Sequence, residues 1–361
     1  MISFRKFSSF GLVAGLLLVT GAGCISFGNK NTAAGPMGMF RSTDKGETWA
    51  QANTVPTVQG VKSLAGVKAL RFYNDPSDPN TYYLTTQGSG VFYTYNKGDS
   101  WQHITGLQQT TAYGIAVDPK DKCNIYIAEQ LRVMKTTDCG RTWAAVYTEQ
   151  RPAEKFVALT LDTANSTILY GALHGGDLII SQDSGGSWRT IKRFDTILKF
   201  ATTDPQIPGR VYVGTATAGG YRSDDGGTTW TSFNKGLSEF SGAYAFFRLV
   251  LNPAQKNSLF WVSKYGVLRS DDGGTTWKKI NLITPEGSVN IYAFAVNPVN
   301  QKELYYTGTT LGENSSRSTF YKSVDGGVTW ITKKLPTNTI PVFIEVNPKD
   351  PNLLFMAFTN A

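Results

Sequence analysis

The chain has 361 residues, 41 % of them hydrophobic and 12 % aromatic, with 37 glycines. That is enough apolar material for a large core, and it excludes a disordered chain. The formal charge is +8, but the basic residues are scattered and form no run, so nothing marks a nucleic-acid partner.

The N-terminus reads as a targeting segment over residues 1–23. "MISFRK" supplies a positive start, "FGLVAGLLLV" is an apolar run too short to span a bilayer comfortably, and "GAGC" places small residues before Cys24. This resembles a bacterial lipoprotein signal, in which the cysteine is lipidated and becomes the new N-terminus. Gly21 stands where such signals usually carry Leu, and the alternative is an ordinary secretory signal cut near Ala22. Setting Arg5 and Lys6 of this segment aside leaves a charge of +6. Residues 24–37 are small and polar and read as a tether. The expected location is extracytoplasmic, lipid-anchored to the envelope through Cys24. With Ile25 rather than Asp next to the cysteine, that means the outer membrane if the cell has two.

From residue 38 onward the chain repeats. The pattern S-x-D-x-G-x-T-W recurs seven times, beginning at Ser42, Thr94, Thr136, Ser181, Ser223, Ser270 and Ser323, at intervals of 42 to 53 residues. Its third position holds Asp44, Asn96, Asp138, Asp183, Asp225, Asp272 and Asp325. Its last holds Trp49, Trp101, Trp143, Trp188, Trp230, Trp277 and Trp330, seven of the eight tryptophans. Out of phase with it runs a second series of seven turns at Asp75, Asp118, Asp162, Asp204, Asn252, Asn297 and Asn347, six of them followed by Pro.

Each unit therefore reads strand, Asn/Asp turn, strand, strand, Asp-rich hairpin, strand. In the second unit these are "VKALRFY", "TYYLTTQ", "GVFYTY" and "SWQHIT", rich in aromatic and β-branched residues. Four antiparallel strands in 40 to 50 residues make a β-propeller blade. The repeat region begins with only a third and fourth strand, "GMFRS" and "TWAQA", and ends with only a first and second, "PVFIEV" and "NLLFMAF". Six whole blades and two halves predict an all-β, seven-bladed propeller over residues 38–361, closed by pairing the half-blades. In this frame the octapeptide is structural. Its Asp caps the turn, its Gly supplies a backbone conformation other residues resist, and its Trp opens the outer strand.

The octapeptide resembles the Asp-box (BNR) repeat. The resemblance covers nearly all of the chain after residue 37. It implies a propeller, with functions as diverse as sialidases, family 74 xyloglucanases, sortilin-type receptors and photosystem II assembly factors. The phrasing "DP…Y…GV…S.DGG.TW" is most similar to the last three. The sialidase "RIP" stretch is absent before the first box, where "MGMFRS" stands. The nearest match to the xyloglucanase "RTDVGG" context is the first Asp-box itself, so no catalytic role passes to Asp44.

A glycosidase needs two carboxyl groups flanking one bond. On the face opposite the Asp-boxes the loop acids are Glu129, Glu149, Glu154, Asp177, Asp195, Glu239, Glu286 and Glu313, and spacing pairs no two of them. His103 and His174 are the only histidines and fall in different blades. No His/Cys cluster has metal spacing and no glycine loop would cradle a phosphate, so no metal or cofactor is expected. Cys123 and Cys139 begin and end strands that should meet. They predict a disulfide worth roughly 3 kcal/mol, permitted outside the cytoplasm.

The innermost strands alternate apolar and small residues, with three large polar exceptions: Arg71, Arg248 and Glu345. Arg71 and Glu345 fall on neighbouring blades and would pair near the channel. An unpaired Arg248 would suit an anionic group or an acidic partner segment. These features point to a monomeric, membrane-tethered propeller that docks another protein during assembly or at the envelope. The alternative is a carbohydrate-active enzyme of the Asp-box class acting on a polysaccharide.

Overall fold

A computed structural model describes residues 36–313 and 316–360. The targeting segment, Cys24 and the tether up to residue 35 lie outside the described residues. Seven four-stranded antiparallel sheets form the predicted propeller. Blade one is the composite, built from Ile340–Val346, Leu354–Thr359, Gly38–Ser42 and Ala50–Gln51. Its closure runs through five consecutive residue pairs, from Gly38 opposite Phe358 to Ser42 opposite Leu354. Blade two comprises Ala69–Asn74, Tyr82–Thr86, Val91–Thr94 and Gln102–His103. Blades three to seven begin with the inner strands Gly114–Asp118, Phe156–Leu161, Leu198–Thr203, Phe246–Leu251 and Phe294–Val296.

Burial follows position within a blade. The second strands are covered on both faces by neighbouring blades, so Tyr82–Thr86, Leu169–Leu173, Val211–Thr215 and Leu259–Ser263 are buried throughout. This is why they read as continuous apolar runs rather than alternating ones. The outer strand Arg189–Arg193 faces solvent. A hairpin of Thr54–Thr57 and Gly60–Ser63, which the repeat pattern gives no sign of, leads from blade one to blade two.

The Asp-boxes are turn clamps. In the first, Ser42 Oγ donates to Asp44 Oδ1 at 2.7 Å and accepts from the N–H of Gly46 at 2.8 Å. Asp44 Oδ1 also accepts from the N–H of Thr48 at 2.9 Å. Blade two keeps the geometry with a neutral group: Asn96 Oδ1 accepts from the N–H of Ser100, and Asn96 Nδ2 donates to the Ser100 hydroxyl. The fourth position of every box donates its N–H back to a carbonyl of the Asn/Asp turn in the same blade, from Lys45 to Asn352 through Gly326 to Lys302. That seven-fold link forces the fourth position to a positive φ, even at Lys45, Lys97, Cys139 and Ser184, where φ is 56 to 60°. In blade three the same link is doubled covalently, because Cys123 and Cys139 form the predicted disulfide.

Blades are joined by a further element. A basic residue immediately precedes the box in five of the seven copies and reaches the next blade. Arg41 donates to the Lys97 carbonyl at 2.8 Å, Lys135 to Ser184 at 3.0 Å, Arg222 to Gly273 at 2.6 Å and Lys322 to Lys45 at 3.2 Å. Arg269 instead donates to Gln301 Oε1 at 2.8 Å. A hydrogen bond from a charged donor contributes about 1.5–3 kcal/mol, so these clasps set how the wedges assemble. Each clasp residue sits opposite the buried aromatic of the second strand, as Arg41 does Phe355 and Lys135 does Tyr126.

Candidate functional site

The seven inner strands surround a channel of about 490 Å³ that opens among the Asn/Asp turns. Five prolines of those turns line it: Pro76, Pro205, Pro253, Pro298 and Pro348. They follow from the chemistry of the turns, which need an Asx cap and a fixed φ at the end of each inner strand. Deeper in, the walls are mostly apolar, including Ile115, Phe200, Leu249 and Phe294. The charged residues among the lining are Arg248 and Glu345.

The three polar exceptions of the inner strands do come together around this channel, but not as the sequence led us to expect. Arg71 and Glu345 form no ion pair among the described residues. The Arg71 guanidinium instead donates to the Lys199 carbonyl of blade five at 3.3 Å, across the channel. Ala116, on the intervening inner strand of blade three, lines the channel and leaves room for a side chain long enough to cross. Arg248 donates to the Val342 carbonyl of blade one at 3.0 Å, reaching past blade seven. The two arginines thus brace non-adjacent blades.

The electrostatics are unusual. Burial pushes the Glu345 carboxyl up to about 7, with Arg248 and Asn74 pulling the other way. Burial, together with the charge of Arg71, brings the Arg248 guanidinium down to about 10, against the opposing pull of Glu345. Arg248 Nε is buried without a hydrogen-bond partner. Its surroundings therefore favour an added acceptor or negative charge.

The loop acids on the opposite face offer a different picture. Glu149 and Asp177 share one guanidinium: Arg151 Nε lies 2.8 Å from Glu149 and Arg151 Nη1 lies 2.9 Å from Asp177. Among the described residues this is the one place where two of the eight meet at a common partner. The Arg151 hydrogen bond holds the Glu149 carboxyl at about 2 against the effect of burial, so it carries no proton to donate at neutral pH. Glu129 is paired with Arg132 at 2.6 Å, and Glu286 with Lys279 at 3.2 Å. Glu154 accepts from the N–H of Gly175 at 2.8 Å. His103 stacks on Phe92 with ring centroids 4.3 Å apart, in another blade from His174. No group of three or more metal-ligating side chains assembles among the described residues. Nor, among them, is any helix long and apolar enough to cross a membrane.

Sequence reasoning missed the interblade clasps and one buried acid, Glu303. The signal for the clasps was present as the basic residue before five of the seven boxes. Glu303 carried none, because its role depends on a neighbour from the other end of the chain.

A family model described as sortilin, neurotensin receptor 3, matches residues 38–170, less than half of the chain. A xyloglucanase of Paenibacillus sp is 26 % identical over 263 residues, covering 59 % of this chain and 24 % of its own. The chain thus spans about a quarter of the length of that relative. The dispase autolysis-inducing protein of Streptomyces mobaraensis is 25 % identical over 333 residues, covering 86 % of this chain and 84 % of its own. Among solved structures, a family 74 xyloglucanase from Xanthomonas campestris superposes with a TM-score of 0.62 at 18 % identity, over 81 % of this chain and 51 % of that one. YCF48 bound to a D1 peptide superposes with a TM-score of 0.59 at 17 % identity, over 81 % and 94 %. At these identities the structures share the propeller fold with this chain.

Proposed function

We propose that the chain is a docking protein of the cell envelope, lipid-tethered through Cys24 outside the cytoplasm, whose channel mouth receives an extended segment of a protein partner. The observation that carries this reading is the channel itself. Its rim is proline-lined and apolar, and the unpartnered Arg248 Nε lies where a carboxylate of an entering segment would find a donor. A rigid ring presenting such a mouth suits binding rather than turnover. The peptide carried by YCF48 supports the idea that a propeller of this shape can hold a protein segment. The extensive match to the dispase autolysis-inducing protein also favours a protein partner over a glycan.

The glycosidase alternative has less behind it. The one bridged pair of loop acids includes a carboxyl that stays ionised. Glu345 holds a proton near neutrality, but no second acid lines the channel with it.

The test is photo-crosslinking in the native envelope from Gln206 at the channel mouth, beside a hydrolysis screen on plant, bacterial and sialylated glycans. A discrete protein adduct that disappears in Arg248→Leu is the expected result. Release of reducing ends or sialic acid, or an adduct indifferent to Arg248, overturns the reading.

A further inference from the structure

Two seams lack the basic clasp: Tyr93 stands at that position between blades two and three, and Ile180 between blades four and five. At the second of these the Tyr170 hydroxyl donates to the Gly226 carbonyl of blade five at 3.3 Å, whereas among the described residues the Cys139 carbonyl receives no side-chain bond from blade two. In three blades the Asn/Asp of the turn helps as well. Asp162 accepts from Gly209 of the next blade, Asn252 reaches Gln301 and Asn347 reaches Pro79. Asp75, at the same place in blade two, is only 3 % exposed and its Oδ2 has no partner.

What remains is a cavity of about 640 Å³ lined by Asp75. One wall is a ladder of three tyrosines, Tyr83, Tyr93 and Tyr95, with successive ring centroids 6.5 and 6.3 Å apart. It runs from buried Tyr83 to exposed Tyr95. Blade three supplies the exposed cations Lys122 and Arg141, next to Cys139 and Gly140. The Cys123–Cys139 disulfide fixes this wall on a blade that no clasp from its predecessor holds.

We propose that this seam is a binding site for an acidic sugar, a pyranose unit bearing a carboxylate within a polysaccharide. Three features have to be satisfied together. The tyrosine ladder suits the flat C–H face of a pyranose. The buried Asp75 Oδ2 calls for a hydroxyl donor. Lys122 and Arg141 at the exposed side call for an anion. A purely apolar ligand would leave Asp75 unsatisfied, an anion without hydroxyls would confront it, and a cation would meet Lys122 and Arg141. The site is separate from the channel, and it requires no bond-breaking.

Calorimetric titration of the purified chain with trigalacturonic acid and with a neutral galactose trisaccharide tests this. Saturable binding of the acidic trisaccharide alone is expected. Tyr93→Arg should weaken it at least about tenfold, by placing in the cavity the clasp that Arg41 and Arg222 already form elsewhere. Because that residue is native at the same position in other blades, the variant should fold. Tyr95→Ala, at an exposed position, gives a second reading of the same loss. No saturable binding of either trisaccharide, equal binding of both, or binding unchanged in Tyr93→Arg and Tyr95→Ala overturns the proposal. A failure here leaves the Gln206 crosslink unaffected, so the two sites are judged independently.

Discussion

Lys45 of the first Asp-box lies 2.9 Å from Glu303 of blade seven, joining residues 258 positions apart. The Glu303 side chain is 3 % exposed and also accepts from the Tyr305 hydroxyl and Asn297 Nδ2, each at 2.7 Å. Burial alone would raise this carboxyl, yet Lys45, Tyr305 and Asn297 together hold it below its ordinary value. The same seam adds Lys322 and Lys333 around Glu47. The strand pairing that closes the ring is therefore reinforced by charge one seam away.

Removing Lys45 leaves a buried carboxylate short of its nearest cation, with Lys322 at 3.8 Å as the remaining one. Lys45→Met should lower stability by about 1.5–3 kcal/mol in urea titrations. Lys97→Met, which removes an exposed pair 3.7 Å from Asp350, should cost less than about 1 kcal/mol.

The Asp-box clamps predict acid lability. The Ser187 hydroxyl, the backbone N–H of Ser187 and the Ser181 hydroxyl hold Asp183 at about 2, and Thr229 and Ser223 do the same for Asp225. A carboxyl whose value is depressed on folding contributes stability that is complete above its unfolded value and is lost as pH falls through the folded one. The melting temperature should therefore drop steeply below about pH 4. Asp225→Ala should flatten part of that drop and lower the melting temperature at neutral pH. Asn96→Asp should make blade two sensitive in the same range.

Glu345 has the opposite sign. Its carboxyl rises to about 7 on folding, so the native state holds a proton that the unfolded chain releases. Its contribution is complete below the unfolded value of about 4.5 and is lost as pH rises through about 7. Stability should decline between those limits and level off above them, by at most roughly 3 kcal/mol. Glu345→Gln should abolish the decline, as calorimetric melts across that range would show. Together with the Asp-boxes this places the stability maximum near pH 4–5.

The disulfide can be tested without disturbing the turn. Cys139 sits at φ 59°, where blades five to seven carry Gly. Cys123→Ser with Cys139→Gly therefore relieves the backbone while removing the bridge. Chemical denaturation should show a net loss of about 2–3 kcal/mol, the chain-entropy value for a short loop less the relaxation at glycine.

The sequence by itself determined the ring. Seven boxes, seven turns and two complementary half-blades leave little choice of architecture, because each signal is local and each recurs. The disulfide was legible for the same reason: a blade fixes which strand ends meet. What the tertiary structure alone decided lies between blades. Arg71 and Glu345 looked like partners because they are near in the ring order, yet Arg71 crosses to Lys199 because Ala116 leaves the channel open to a long side chain. Glu303 gains its cation only when the chain's two ends meet. The cavity beside Tyr93 follows from the absence of a clasp at that seam together with an Asp75 oxygen that no neighbour reaches. A periodic pattern specifies what every blade shares; the packing of unlike side chains across a seam specifies where one blade differs.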